Sequence, residues 1–167
     1  RFYGDVAIKD GKIVYVGKMN NVNITATKVI NAKGLVVAPG FIDVHAHIEN
    51  CVFENPTAGN YIYDGVTTVI TGNCGGSADD LKNFFWRIDS MKASINVASL
   101  VGHNTVRRQA MGLDNRLATA EEQKKMEDLV VQAMKDGAVG LSTGLIYLPG
   151  MYSNTEEVIG LAKAAAN

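Results

Sequence analysis

The chain has 167 residues, of which 47% are hydrophobic and 20% are charged, and its formal net charge is -1. This is the composition of a globular protein, without the basic excess of a nucleic-acid-binding protein. No apolar run approaches the roughly 18 residues that a membrane span needs. We therefore expect neither nucleic acid, for lack of a basic excess, nor a membrane as partner.

The N-terminus and the cysteines bear on the cellular compartment. The chain opens at Arg1 without an initiator methionine, and no signal-peptide pattern is visible there. The two cysteines, Cys51 and Cys74, are too few for a disulfide framework. We expect a cytoplasmic protein, and the sequence leaves assembly into a homo-oligomer open.

Residues 1–38 have the pattern of short β-strands. An Asp-Gly pair lies between the apolar runs 6–8 and 13–17, which is typical of a β-hairpin. Two further short strands are predicted at 27–30 and 34–37. Because a few short strands make a poor core alone, this region is predicted to be part of a small β domain that takes partner strands from elsewhere.

From residue 39 onwards, predicted strands alternate with predicted helices. Strands rich in apolar residues are expected at 41–45, 66–71, 95–101 and 138–142. Helices are expected at 56–64, from the cap Ser77 through Ile88, from the capping box at Thr119 to Asp136, and from Asn154 to the chain end.

Strands that are each followed by a helix indicate a parallel sheet of the α/β class. Both an open doubly wound sheet and half of a (β/α)8 barrel fit this alternation. A whole barrel needs about 250 residues, so length alone favours the open sheet.

The first motif with chemical potential is Asp43-Val44-His45-Ala46-His47, at the end of the predicted strand after Pro39-Gly40. Because alternate residues of a strand face one side, Asp43, His45 and His47 share a face. Two imidazoles so placed can bind one divalent metal ion, whereas the simpler interpretation is a pair of polar loop histidines. The apolar strand before them favours a metal site.

The second motif is Gly72-Asn73-Cys74-Gly75-Gly76, after the next predicted strand. The glycines permit close backbone approach, and a thiolate there can bind the same metal ion as the histidines. The alternatives are a small buried cysteine, a nucleophilic cysteine or a phosphate-binding loop, although GxGxxG and GxxxxGK[ST] are both absent. The neighbouring histidines favour metal ligation by Cys74.

These blocks resemble a known family. PGFIDVHAH looks like the opening signature of the amidohydrolase superfamily, and the longer set resembles the N-acyl-D-amino-acid deacylases, or D-aminoacylases: GVTTVITGNCG, NVASLVGHNTVR, AMG, DGAVGLSTGLIYLPG and NTEE. The resemblance covers about residues 2–163 and reverses the preference based on length. It implies the N-terminal part of a (β/α)8 TIM-like barrel, with about four βα units in 39–167, plus strands of a small β-sandwich in 1–38.

The resemblance also implies an activity and a site. It implies a metal-dependent enzyme, with one or two zinc ions, that hydrolyses the amide bond of N-acyl-D-amino acids to a carboxylate and a free D-amino acid. His45, His47 and Cys74 would bind the metal, Tyr147 would contact this small-molecule substrate, and His103 would support the ligands or order a loop. The family's remaining ligands and its general-base aspartate are expected downstream, so this fragment alone is expected to be inactive.

Several alternatives stay open. A cyclic amidohydrolase of the dihydroorotase or hydantoinase type would favour a bridging lysine on the fourth strand, where this chain has Leu141-Ser142-Thr143-Gly144. A non-catalytic metal-binding α/β module would use the histidines and Cys74 for a structural ion or for none. Tyr147 fits aromatic packing under its Pro-Gly loop as well as substrate contact.

Overall fold

A computed structural model describes residues 3–19 and 25–166 of the chain. The chain divides into two compact units, 1–38 and 39–167.

The first unit contains an antiparallel hairpin of β1 (Asp5–Lys9) and β2 (Lys12–Gly17). Asp10 and Gly11 form its two-residue turn, with φ of 51° and 72°. Positive φ at both central positions is what a type I′ hairpin turn requires, and Asp-Gly is a favoured pair there. The predicted hairpin is confirmed.

The prediction of two further strands in this unit is wrong. Residues 27–30 and 34–37 form no strand, and their apolar side chains are exposed, with Val29 at 82% and Val36 at 76%. A strand needs a neighbour for its backbone N–H and C=O groups. In the described residues these two segments pair with no strand, so their β-like composition is not sufficient.

The second unit is built on parallel strands. β3 (Phe41–Asp43), β4 (Val66–Thr71) and β5 (Asn96–Ser99) form one sheet in chain order, and β6 (Val101–Gly102) pairs with β7 (Leu141–Ser142). The backbone joins the two sheets, because Leu100 N–H donates to Thr71 O and Val101 N–H donates to Gly140 O. The four predicted strands are therefore present in a parallel arrangement. They are shorter than predicted at 41–45 and 138–142, and the third is interrupted at Leu100.

Helices follow the strands. The structure has α1 (Cys51–Glu54), α2 (Gly59–Ile62), α3 (Leu81–Met91), α4 (His103–Met111), α5 (Ala120–Lys135), a 3-10 turn (Gly150–Tyr152) and α6 (Thr155–Ala166). Within the described parts of the chain, no helix is long and apolar enough to span a membrane.

The predicted helix boundaries hold where a cap is strong. Thr119 and Glu122 form the predicted capping box at the start of α5. The predicted cap Ser77 is wrong: Asp80 caps α3 by accepting from Asn83 N–H at 2.9 Å. The Ser77 hydroxyl instead accepts from Gly102 N–H at 3.0 Å, a tertiary contact that the sequence does not reveal.

One further helix prediction needs correction. Residues 56–64 do not form one helix: only α2 (Gly59–Ile62) lies in this range, and it starts after Ala58, whose φ of 46° is not helical. The structure also adds α4, which sequence analysis did not predict. Its sequence HNTVRRQAM is mostly polar, and the burial of residues 103–107 runs against the usual exposure of such residues.

The core of the second unit lies between β4, β5 and their helices. Its buried apolar side chains come from alternate positions of the strands and from one face of each helix. They include Val69, Leu81, Phe84, Ile88, Ile95, Met126, Val130 and Leu161. The polar motifs lie outside this core, at the carboxyl ends of the strands.

Candidate metal centre

The three predicted metal ligands come together at the carboxyl ends of β3 and β4. His45 and His47 lie on the segment after β3, and Cys74 lies in the turn after β4. Their ligand atoms all lie within 4.8 Å of one another. The Cys74 Sγ atom is 3.3 Å from His45 Nε2, and the two imidazole centroids are 5.4 Å apart.

This geometry fits a divalent metal ion of the zinc type. With bonds of about 2.0–2.1 Å to nitrogen and 2.3 Å to sulfur, two ligands of a tetrahedral zinc ion lie roughly 3.3–3.6 Å apart. The separation of Cys74 Sγ from His45 Nε2 is close to that range. The ligand atoms of all three residues lie within 4.8 Å of one another, and both imidazoles are exposed. Two imidazole nitrogens and a thiolate sulfur are also a donor set that zinc prefers.

Asp43 shares the strand with the histidines but does not belong to the ligand group. Its Oδ1 atom accepts from His45 N–H at 3.0 Å. An aspartate that accepts from the amide two residues on forms an Asx-turn, which bends the backbone after the strand. Asp43 therefore shapes the segment that carries the two imidazoles.

The turn that carries Cys74 is a tight reversal. Gly76 N–H donates to Asn73 O at 3.0 Å, and the two central residues Cys74 and Gly75 have φ of 55° and 79°. These are the features of a type I′ turn. A non-glycine residue with positive φ is uncommon and is retained where its surroundings fix it, and here it directs the thiol toward His45.

Ser142, at the end of β7, holds the same turn from the other side. Its hydroxyl accepts from Gly75 N–H at 3.0 Å and donates to Gly72 O. Sequence analysis noted that no lysine stands near Ser142. The structure shows what the serine does there, since its hydroxyl bonds both glycines that flank Asn73 and Cys74.

His103 lies at the start of α4 and is completely buried. Its Nδ1 atom is 2.9 Å from Thr143 Oγ1, and its Nε2 atom is 2.8 Å from Glu157 Oε1. These bonds connect it to the loop after β7 and to α6 rather than to His45, His47 or Cys74. Ordering of a loop by His103 stays a prediction.

Glu157 is the centre of a buried charged cluster that sequence analysis missed. It accepts from His103 and from Arg107, and both partners are fully buried. Burial raises the pKa of the Glu157 carboxyl, but the hydrogen bonds from His103 and Arg107 outweigh burial and hold the pKa below its ordinary value. No local pattern marks this cluster, because Glu157 lies 50 or more residues from both of its partners in the chain.

Asn104 is a second residue that sequence analysis did not assign to the site. Its side-chain amide donates to Cys74 O at 3.3 Å and to Gly144 O at 3.5 Å. It therefore bridges the Cys74 turn and the loop after β7. The sequence shows Asn104 only as one polar residue in a polar stretch.

Tyr147 lies on the loop after β7 and is about half exposed. Its N–H donates to Gly144 O at 3.0 Å. Gly144 is confined between the two features, because a Cβ there would lie 2.3 Å from Cys74 O and 2.9 Å from the Tyr147 ring. The Tyr147 loop thus packs on the Cys74 turn, and the role of Tyr147 in substrate binding stays a prediction.

Comparison with known proteins gives one family. The profile of the Amidohydrolase family matches residues 28–167. A D-aminoacylase of Alcaligenes xylosoxydans xylosoxydans is 34% identical over 95% of this chain and 37% of its own length.

Two solved structures are similar along nearly the whole chain. One is an N-acyl-D-glutamate deacylase of Bordetella bronchiseptica, complexed with zinc and a phosphonate mimic of the tetrahedral intermediate. It is 36% identical to this chain, with a TM-score of 0.88, and the match covers 96% of this chain and 38% of that one. The other is a D-aminoacylase with a binuclear metal centre, with 31% identity, a TM-score of 0.87 and coverage of 95% and 38%.

These likenesses confirm the predicted α/β fold, the N-terminal part of a TIM-like barrel. In the described residues the strands form partial sheets and no closed barrel. The chain spans 37% of the length of the D-aminoacylase that it matches.

Proposed function

Because this chain belongs to the amidohydrolase family, we propose that the protein containing it is a zinc-dependent hydrolase of N-acyl-D-amino acids. The single observation that carries the proposal is the cluster of His45, His47 and Cys74, whose ligand atoms lie within 4.8 Å of one another. The names of two relatives, a D-aminoacylase and an N-acyl-D-glutamate deacylase complexed with zinc, support the substrate class and the metal.

In the proposed site the chain's own residues bind and orient. Cys74 as thiolate and His45 and His47 as neutral imidazoles would hold one zinc ion or share two, and binding releases the protons that these groups carry. When bound, zinc lowers the pKa of a bound water to about 7 and polarises an amide carbonyl. Tyr147, on the half-exposed loop beside the Cys74 turn, would donate a hydrogen bond to the substrate's carbonyl or carboxylate.

The reaction would add water across the amide bond. The acyl carbon gains a hydroxyl and leaves as a carboxylate, and the nitrogen gains a proton and leaves as the D-amino acid. Proton transfer needs a general base, which we expect from a further segment of the whole protein. The side-chain preference for the D-amino acid also depends on parts outside this chain.

The same proposal covers domains, partners and compartment. Residues 1–38 would contribute to a small β-sandwich, and 39–167 would form the first half of the barrel. The partner is a small molecule rather than nucleic acid or a membrane, the location is cytoplasmic, and the protein can also form a homo-oligomer. The lack of a basic excess and of a membrane-length apolar run in the sequence supports a small-molecule partner over nucleic acid or a membrane.

The arrangement around Ser142 argues against the cyclic amidohydrolases. A bridging lysine on the fourth strand would need a side chain that reaches the metal. At the corresponding strand end this chain places the Ser142 hydroxyl on Gly75 N–H and Gly72 O, and Lys135 lies on α5 before the strand. Cys74 offers a thiolate in place of that lysine.

The test uses the full-length protein reconstituted with zinc. We expect release of free D-amino acid from N-acetyl-D-amino acids of acidic and neutral side chains, and none from the L-enantiomers. Cys74→Ser and His45→Ala should both lower turnover and zinc affinity. Since loss of a residue that only supports a ligand costs about 10- to 100-fold, loss of a ligand itself should cost at least about 10-fold. Opening of dihydroorotate or hydantoin rings without hydrolysis of linear substrates would reject the proposal.

A further inference from the structure

The two ligand-bearing segments run side by side before they reach the candidate metal centre. The histidine segment, residues 44–49, follows β3, and the cysteine segment, residues 70–74, ends β4. Ala46 N–H donates to Ile70 O at 3.0 Å, which continues the sheet pairing into this region. That one bond does not fix the orientation of His45, because the peptide carbonyls on both sides of it still need donors.

Asn73 supplies those donors from the cysteine segment. Its Nδ2 atom lies 2.9 Å from Ile70 O, 3.4 Å from Ala46 O and 3.5 Å from Val44 O. The amide has two hydrogens, so at least two of these three contacts share one of them. Since Val44 and Ala46 are the neighbours of His45, one side chain holds the backbone on both sides of that ligand.

The burial of Asn73 shows that water does not provide these bonds instead. The residue is 9% exposed, and its neighbours Thr71 and Gly72 are also buried. A buried amide that lost its carbonyl partners, or carbonyls that lost the amide, would each incur a desolvation penalty. The contacts of Asn73 are therefore maintained in the folded protein.

The backbone of Asn73 has a second task in the same place. Its carbonyl accepts from Gly76 N–H and closes the turn that gives Cys74 its positive φ. The same residue thus shapes the turn that carries the thiol and fastens the segment that carries the imidazole. The outcome is the 3.3 Å separation between Cys74 Sγ and His45 Nε2.

We propose that Asn73 is a positioning residue of the metal centre: its side-chain amide fastens the backbone on both sides of His45 and so places that imidazole against Cys74. The inference rests on the proposed metal-dependent function and goes beyond it. The residues assigned above to metal and substrate do not include Asn73.

Glu49 fastens the far end of the histidine segment independently. Its Oε1 atom accepts from the Thr71 hydroxyl at 2.5 Å and from Gly72 N–H at 2.8 Å, and Thr71 Oγ1 accepts from Ile48 N–H at 3.3 Å. The segment therefore stays attached to the end of β4 when Asn73 is changed. A variant of Asn73 should fold and misplace His45, which makes the inference testable.

The experiment compares two substitutions of Asn73 in the full-length protein. Asn73→Ala removes the amide, and Asn73→Asp keeps its volume while directing a carboxylate at three carbonyl oxygens. A packing role predicts that the isosteric aspartate is the milder change. A positioning role by hydrogen-bond donation predicts the reverse order, because carboxylate and carbonyl oxygens repel each other.

Asn96 provides the matched control. Its side-chain amide donates to Thr67 O at 2.9 Å, so it also joins neighbouring strands, but at the opposite end of β4. Asn96→Ala and Asn96→Asp remove the same kind of bond away from the metal centre. Asn96 is exposed, so denaturant unfolding of all four variants separates the loss of stability from the loss of metal binding, which we expect only in the Asn73 pair.

The readout is Co²⁺ and Zn²⁺ binding to the metal-free protein, by chelator competition and by the sulfur-to-cobalt charge-transfer absorption. A His45→Ala/His47→Ala double variant identifies the binding step that belongs to the imidazoles. We expect Asn73→Ala to weaken that step by about 10- to 100-fold, as for lost support of a metal ligand, with Asn73→Asp weaker still. Both Asn96 variants should bind as the unchanged protein does.

Two results would overturn the inference in distinguishable ways. If the imidazole step in Asn73→Ala is as tight as in the Asn96 controls, or if Asn73→Asp binds more tightly than Asn73→Ala, the positioning role is rejected and the metal centre stands. If Cys74→Ser retains the charge-transfer absorption and the double histidine variant retains every binding step, the metal centre itself is rejected, together with the role of Asn73.

Discussion

Cys74 shows how a single residue can be held in an unfavourable conformation for its chemistry. Its φ of 55° lies in the left-handed region, which costs a non-glycine residue on the order of 1–3 kcal/mol. Bonds from Ser142 to both flanking glycines and from Asn104 to its carbonyl hold the turn in that form. In this conformation the thiol lies beside His45, with Sγ 3.3 Å from Nε2.

Gly75 lets the turn fit beneath Asn104, which gives a prediction at the residue scale. A Cβ at Gly75 would lie 2.6 Å from Asn104 Nδ2, in addition to the cost of a φ of 79°. We expect Gly75→Ala to lower the free energy of unfolding by about 1–3 kcal/mol for overpacking, beyond the backbone cost. Denaturant unfolding measures the loss of stability, and metal content measures the effect on the metal centre.

Gly34→Ala is the matched control for that prediction. Gly34 has the same φ of 79°, and a Cβ there would meet no atom within 4 Å. It should therefore show only the cost of the backbone conformation and should leave metal content unchanged. Equal losses of stability in Gly75→Ala and Gly34→Ala would mean that the contact with Asn104 is relieved without cost.

At the scale of elements, α4 and α6 are joined through a buried ion cluster. Glu157 on α6 bonds both His103 and Arg107 on α4, and Arg107 also donates to Arg116 O at 2.6 Å. Charged groups are almost never fully buried unless they are paired. The cluster therefore acts as a specific connection between the helices that follow β6 and β7, next to the loop that carries Tyr147.

Removal of the Glu157 charge should destabilise the protein strongly. Glu157→Gln keeps the volume but leaves the buried Arg107 without its counter-charge, for which we expect a loss of about 3–5 kcal/mol in the free energy of unfolding. Asp128→Asn is the comparison, because Asp128 pairs with Lys124 at an exposed site and should have a small effect. A loss for Glu157→Gln no larger than for Asp128→Asn would contradict the importance of the buried cluster.

The same carboxyl predicts a pH dependence. The folded-state pKa of Glu157 lies below its ordinary value of 4.5, because bonds from His103 and Arg107 outweigh the effect of burial. Its contribution to stability is therefore complete above about pH 4.5 and is lost as the pH falls through the folded-state pKa. Below about pH 4.5, the free energy of unfolding should fall more steeply with decreasing pH in the unchanged protein than in Glu157→Gln. Parallel curves for the two proteins would contradict this prediction.

At the scale of the whole molecule, the parallel sheet of the second unit exposes apolar side chains. Phe41, Ile42 and Val44 are each about 60% exposed, although they belong to or follow β3. Contiguous exposed apolar residues usually mark a surface that another part of a protein covers. The relatives are more than twice as long as this chain, which spans 37% of the D-aminoacylase.

Expressed alone, the 167-residue chain is therefore expected to self-associate and to be inactive. The exposed strand residues favour association, and the described residues supply three ligands without an assigned general base. Size-exclusion chromatography with light scattering and an assay on N-acetyl-D-amino acids measure these two properties. A monodisperse monomer would argue against the first expectation, and turnover would argue against the second.

The sequence alone determined the local and chemical features. The Asp-Gly hairpin and the capping box at Thr119 follow from patterns within a few residues, because caps and turns depend on adjacent side chains. The parallel strands follow from the alternation of predicted strands with predicted helices after residue 39. The grouping of His45, His47 and Cys74 followed from their places at the ends of successive parallel strands, since such ends meet at one edge.

Only the tertiary structure decided which segments pair and which polar groups are buried. The β-like segments 27–30 and 34–37 stay unpaired in the described residues, and α4 forms from a polar stretch whose side chains bond distant partners. The bonds of Asn73 to the His45 segment and of Glu157 to α4 join residues 27 to 54 positions apart. Local pattern cannot encode these contacts, because they exist only after the strands and helices have packed and excluded water from the groups between them.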